Sequence, residues 1–181
     1  MMKNFCRIIA WAVLPGLSVI LALQNNILQN NYSDLRLNPK YAILFIIMSI
    51  IMACYYFGIL YYLLHKRKQG IIIKGLLWLS FILFIVGVVL PYHPEGNDVF
   101  SIRHVDLVLL ACFIYIGILL KYFSLDYTIM KKNEYIIMGL ILGAGIIFFL
   151  SKKVNSLLEL WGGIGMPFLL ERLYEQESNL E

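Results

Sequence analysis

Apolar residues in this chain neither alternate with polar ones nor trace a single helical face; they fill long uninterrupted stretches. The first runs from about Phe5 to Leu23, and the second from Tyr41 to Leu64 without a charged residue. A third covers Ile71 to Leu90, with Lys74 near its start. The fourth, Val105 to Phe123, holds Asp106 and Lys121 only near its ends, and the fifth runs from Tyr135 to Leu150. A helix needs about 20 largely apolar residues to cross ~30 Å of hydrocarbon, fewer when flanking Lys side chains reach to the interface. Only helices and closed barrels satisfy their own backbone in lipid, and these runs are too long and uniform for barrel strands. The pattern therefore predicts an all-α, polytopic transmembrane bundle over residues 1–153 with about five spans.

Residues 154–181 fit less well. Val154 to Tyr174 is apolar, but Glu159 lies inside it, and Gly162, Gly163, Gly165 and Pro167 oppose helical continuity. A charge deep in a span costs about 2.5–3.5 kcal/mol on insertion scales. The segment is expected to be interfacial or re-entrant, with a sixth crossing as the alternative. In the first case the acidic tail of Glu171, Glu175, Glu177 and Glu181 would lie outside.

Composition agrees: 61% of residues are hydrophobic and 14% charged, against roughly 45–50% and about 25% in soluble domains. Lys3 and Arg7 ahead of the first run also suit a cleaved signal sequence, but Trp11 and Pro15 interrupt that run and the cleavage site is poor. Cytoplasmic loops retain Lys and Arg. A cytoplasmic N-terminus gathers Lys3, Arg7, Lys66, Arg67, Lys68, Lys74, Lys121, Lys131 and Lys132 inside, leaving Arg36, Lys40 and Arg103 in the outer loops. The expected location is the cell (inner) membrane. Lys66, Arg67 and Lys68 are also candidates for anionic lipid head groups.

Cys6, Cys54 and Cys112 all fall within spans and read as small buried apolar residues. CxxC, P-loop, GxSxG and HExxH patterns are all missing from the sequence. His65 and the pair His93 and His104 fall at opposite ends of their spans, which disfavours a bis-histidine haem. No cofactor and no nucleic-acid partner is expected. Gly139 and Gly143 have the small-xxx-small spacing that lets helices approach closely, within the bundle or in a homo-oligomer.

Ionisable residues collect on the outer face: His93, Glu95, Asp98, Arg103, His104 and Asp106 in the second outer loop, Asp34 in the first. Asp98 is a natural N-cap, Arg103 and Asp106 stand three apart as an ion pair, and His104 and Asp106 point in different directions. Asp34, His93, Asp98, His104 and Asp106 are ligand-binding candidates, Asp106 lying deepest. Alternatively His93, Glu95, Asp98 and His104 would hold a metal that activates water for hydrolysis.

Ser33, Asp34 and Leu35 before a long span, Pro91, His93 and His104 ahead of the fourth span, and Gly165 followed by Glu171, Arg172 and Leu173 resemble an uncharacterised prokaryotic family of polytopic membrane proteins. This is domain-of-unknown-function family 998, similar in layout to the DRAM-like group. The resemblance implies a helical bundle whose outer face shares Ser33, Asp34, His104, Glu171 and Arg172, which adds the last two to the ligand candidates. In that family the Glu-Arg pair opens a sixth span, whereas here only residues 173–181 follow it. The resemblance implies no reaction or cofactor, and the DRAM-like layout points by analogy toward lipid homeostasis. The preferred functional reading is non-enzymatic: binding or moving a lipid or small solute, or assisting a membrane complex. A metal hydrolase and a small interaction protein, such as a toxin-immunity protein with a membrane-protein partner, are the alternatives.

Overall fold

The computed structural model describes residues 2–93 and 98–179. Its first helix is made of α1 (Met2–Ile8), a π-helical turn (Ile9–Val13) and α2 (Leu14–Leu23). Pro15 has no N–H to give back to the preceding turn, and the ladder widens just before it, with the Leu14 N–H bonded to the Ile9 carbonyl. After a loop, a 3-10 turn (Tyr32–Leu37) leads into α3 (Pro39–Lys66). That turn opens on a reciprocal capping box: the Asn31 side chain accepts the Asp34 N–H at 3.1 Å, and the Asp34 carboxylate accepts the Asn31 N–H at 2.9 Å.

Next come α4 (Ile71–Val89), α5 (Val99–Ser124), α6 (Tyr127–Ser151) and α7 (Ser156–Ser178). Five helices, Lys3–Leu23 and α3 to α6, are long and apolar enough to cross a membrane. The chain is a multi-pass helical membrane protein. Asp98 caps α5 as expected, accepting the Ser101 N–H at 2.9 Å. Both α5 and α6 begin earlier than their apolar runs. Asp126 starts α6 by accepting the Thr128 N–H, so Lys131, Lys132 and Glu134 belong to its first turns, where hydropathy hides a helix that capping reveals.

Residues 156–178 are helical throughout, without the break that the glycines and Pro167 suggested, but α7 is not among the helices long and apolar enough to cross a membrane. α7 is one continuous helix of 23 residues with Pro167 inside it, long enough to rise about 34 Å. It starts where the Ser156 N–H bonds the Asn30 carbonyl at 2.7 Å, and ends where Arg67 Nε meets Glu177 Oε1 at 2.6 Å. The acidic residues 171–177 therefore lie beside Lys3 and Arg67, opposite the end that carries the 3-10 turn. The glycines that seemed to break the helix give it close neighbours instead. A Cβ on Gly163 would meet Ser18 Oγ at 2.5 Å and one on Gly165 would meet Leu140 at 2.1 Å. On α6, Gly143 is the seat of the Trp161 ring, 2.5 Å from where its Cβ would stand, while Gly139 has nothing within 4 Å. The close approach foreseen for this glycine pair is thus made at Gly143, to α7 of the same chain.

Helix α3 is central, meeting α2 and α7 on one side and α4 on the other, while α5 packs mainly on α4. Leu60, Leu63 and Leu64 of α3 and Leu170 and Leu173 of α7 are fully enclosed in the half of the bundle nearer the basic end. Cys6 is buried there, but Cys54 and Cys112 are exposed on the bundle surface rather than enclosed; all three are free thiols.

Candidate functional site

Two adjoining cavities lie among α3, α4, α5 and α7. One, of about 250 Å³, sits beneath the 3-10 turn and is lined by Tyr32 and Ser33 from that turn, His104 from α5, and Glu159, Gly162 and Gly163 from α7. The other, of about 270 Å³, is apolar, with Ala53, Phe57, Leu77, Phe81, Cys112 and Ile116 in its wall. They share Met52, Tyr56, Phe84 and Met166. The combined space grades from polar beneath the turn to apolar in the middle of the bundle. Cys112 and Ile116 are exposed, so the apolar end reaches the lipid-facing surface.

Gly87 makes the polar end possible. A Cβ there would stand 2.8 Å from Val108 Cγ2, so α5 can lie this close to α4 only against a glycine. His104, 4% exposed, then brings Nδ1 to 2.7 Å from the Gly87 carbonyl. A carbonyl only accepts, so Nδ1 carries the hydrogen and Nε2 accepts from the Ser33 hydroxyl at 3.1 Å. The Tyr92 ring stacks at 4.8 Å. Both imidazole nitrogens are engaged, and His104 ties the turn to the bundle.

Arg36 fastens the turn from its other side, donating to the carbonyls of Val88 at 2.7 Å, Val89 at 3.0 Å and Leu90 at the end of α4. Tyr32 donates its hydroxyl to the Ser18 carbonyl at 2.8 Å. The turn thereby roofs the polar cavity. Burial raises the Asp34 carboxyl above its ordinary range, against the Asn31 N–H and Lys153, which lower it. Its role is the capping box.

Glu159 is the one carboxylate in the cavity wall. It accepts the Tyr32 N–H, and among the described residues no cation pairs with it. Nearby, Tyr56 Oη and Ser18 Oγ are buried without a hydrogen-bond partner. Pro167 has no N–H, so the Gly163 carbonyl, four residues earlier in the cavity wall, lacks its α-helical donor.

Only part of the expected cluster converges. Ser33 and His104 meet. His93 Nδ1 lies 3.6 Å from Asp98 Oδ2 on an exposed loop, and Ser101 holds the Asp98 carboxyl below its ordinary range. Asp106 is exposed, on the far side of α5 from His104, and no salt bridge joins it to the equally exposed Arg103. The separation follows from two residues of helix, roughly 200° of rotation. Glu171 and Arg172 belong to the opposite end: Glu171 takes Arg7 Nε and Trp11 Nε1, each at 3.4 Å, and Arg172 is exposed. They do not share a face with Ser33, Asp34 and His104.

The metal alternative loses His104 to Gly87 and Ser33. Among the described residues no three His, Cys, Asp or Glu side chains are grouped to hold an ion, and Glu95 lies outside the described residues. Of the basic cluster, Arg67 is engaged by Glu177 and by Asp126 at 3.1 Å, Lys66 approaches the Glu177 carbonyl at 3.5 Å, and Lys68 is exposed in a left-handed conformation.

No family model, curated protein or solved structure matches the chain. The resemblance drawn from short motifs therefore rests on those motifs alone. The residues that sequence reading missed are Glu159, Tyr56, Gly162 and Pro167. The signal for Glu159 was present as its implausibility in an apolar stretch, read there as an obstacle to crossing.

Proposed function

We propose that this protein binds an amphiphilic molecule within the membrane, without catalysing a reaction on it, in the joined cavities between α3, α4, α5 and α7. The observation that carries this reading is the grading of one space from a polar end, with Glu159 and Tyr56, to an apolar end at Cys112 and Ile116. Ligand sites are concave, mostly apolar and marked by a few placed polar groups. Ionisable residues at membrane depth face cavities, because hydrocarbon does not solvate them. The roof formed by the 3-10 turn favours entry from the bilayer side, past Cys112.

In the same reading α7 is a sixth, polar crossing. The end holding Lys3, Arg67, Lys74, Lys121, Lys131 and Lys132 is cytoplasmic by the positive-inside bias, which puts both termini inside and the cavity roof outside.

A cavity-filling substitution tests the site. Gly162 lines the polar cavity, and a Cβ added to it meets nothing within 4 Å. Gly162→Leu therefore starts its side chain in open space, adds bulk to the cavity wall and raises helix propensity. Native mass spectrometry of protein extracted with its membrane should find one amphiphile retained by the wild type and at least tenfold less on Gly162→Leu. Equal retention, or none on either protein, would contradict the proposal.

A further inference from the structure

Resting on that reading, the geometry points to the class of head group: a hydrogen-bond donor without negative charge, a hydroxyl or an ammonium, seated against Glu159, the Gly163 carbonyl and Tyr56 Oη. Most of the polar cavity's donors beneath the turn are already spent. The Tyr32 N–H goes to Glu159, the Tyr32 hydroxyl to the Ser18 carbonyl, the Ser33 hydroxyl to His104, and the His104 Nδ1–H to Gly87. Its acceptors are not. The Glu159 carboxylate has lone pairs beyond the one engaged by Tyr32, and the Gly163 carbonyl lacks its helical donor because of Pro167.

The hydroxyl of Tyr56 is buried without a partner at the junction of the two cavities, where it can give or take one bond. Arginine, the side chain suited to phosphate and carboxylate heads, is missing from the lining. Arg36, the nearest guanidinium along the roof, is spent on the carbonyls ending α4. An anionic head would sit beside Glu159 in a low-dielectric space with no cation in the lining to neutralise it. A hydroxyl or ammonium would instead supply the donors that two wall acceptors lack.

Three probes with one common dodecyl chain separate the possibilities: dodecanol, dodecylamine and dodecanoate, titrated onto the full-length protein in nanodiscs at neutral pH, with occupancy read by native mass spectrometry. Dodecanol and dodecylamine should bind at least tenfold more tightly than dodecanoate. Glu159→Gln, whose amide oxygen can still accept the Tyr32 N–H, should weaken dodecylamine at least tenfold and narrow its advantage over dodecanoate. Tyr56→Phe keeps the ring in the wall and should weaken dodecanol severalfold, which provides a second reading if Glu159→Gln fails to fold.

Dodecanoate binding as tightly as the other two, and still displaced by Gly162→Leu, would overturn the head-group class while leaving the cavity as the site. Binding of no probe, or of all three undisturbed by Gly162→Leu, would overturn the site itself. Unchanged selectivity in a folded Glu159→Gln together with unchanged affinity in Tyr56→Phe would overturn the assignment of these residues.

Discussion

The two ends of α7 treat their carboxylates in opposite ways. Toward the end beside Lys3, Glu171 and Glu175 take Arg7, Trp11 adds its indole N–H to Glu171, and Glu177 takes Arg67 together with the Tyr122 hydroxyl at 2.6 Å. Toward the other end, Glu159 has a single backbone N–H and faces a cavity. A buried charge is tolerated when paired and hydrogen-bonded, and a pair of this kind fixes one arrangement of helices more than it adds stability. An unpaired one needs another reason to be there. The contrast separates residues that hold α7 in place from the residue that the proposed function assigns to a ligand.

Breaking the paired end should have the largest effect. Arg67→Ala strands Glu177, 3% exposed, and should destabilise the protein by about 3–5 kcal/mol, read as a fall in midpoint on thermal unfolding in detergent. Arg7→Ala tests the same idea with a more solvated arginine, 55% exposed against 25% for Arg67, and should lower the midpoint less, since Trp11 still donates to Glu171. An effect of Arg7→Ala equal to that of Arg67→Ala would mean that the exposure of the arginine does not set the strength of these pairs.

A smaller effect is expected along the groove where α7 lies on α6. Gly143→Ala collides with the Trp161 ring and should lose about 1–3 kcal/mol through overpacking. Gly139→Ala, into open space, should be neutral or gain up to about 1 kcal/mol from helix propensity. The same unfolding assay compares them, and equal losses would place Trp161 elsewhere than against Gly143.

At the unpaired end, Glu159→Gln should leave the unfolding midpoint unchanged or raise it, because it removes an ionisable group that no cation pairs with while keeping an acceptor for Tyr32. A loss approaching that of Arg67→Ala would erase the contrast between the two ends. The smallest effect concerns pH. Ser101 holds the Asp98 carboxyl below its ordinary value of 3.8, so its contribution to α5 is complete above that value and fades as pH falls through the lower value of the folded state. Hydrogen exchange at Ser101 should therefore quicken only in strong acid, and a transition near neutral pH would rule the cap out as its cause.

The first five spans were legible because a long apolar run has few other physical outcomes. α7 was not, because the residues that make it a helix in this bundle are those a hydropathy average counts against it. Its enclosed stripe of Gly163, Pro167, Leu170, Tyr174 and Glu177 steps by four and three residues, a helical period written mostly in non-hydrophobic side chains. Their partners, Ser18 of α2, Tyr122 of α5 and Arg67 just past α3, are distant in sequence, and nothing local to residues 156–178 announces them. At the site, the resemblance put Ser33 and His104 on one face together with Glu171 and Arg172. Ser33 and His104 meet, the other two lie at the opposite end, and His104 and Asp106, two apart on α5, point apart. Asp106 drew attention by depth along the sequence, but which side of α5 faces the bundle depends on Gly87 and Val108 packing from α4.

Single cysteines in a background with Cys6, Cys54 and Cys112 replaced by Ser test most directly whether α7 crosses the membrane with its paired end inside. Asn30→Cys and Ser178→Cys are treated with a membrane-impermeant maleimide in intact cells and again after permeabilisation. The account predicts labelling of Asn30→Cys in intact cells and of Ser178→Cys only after permeabilisation. Labelling of both positions from the same side would contradict it.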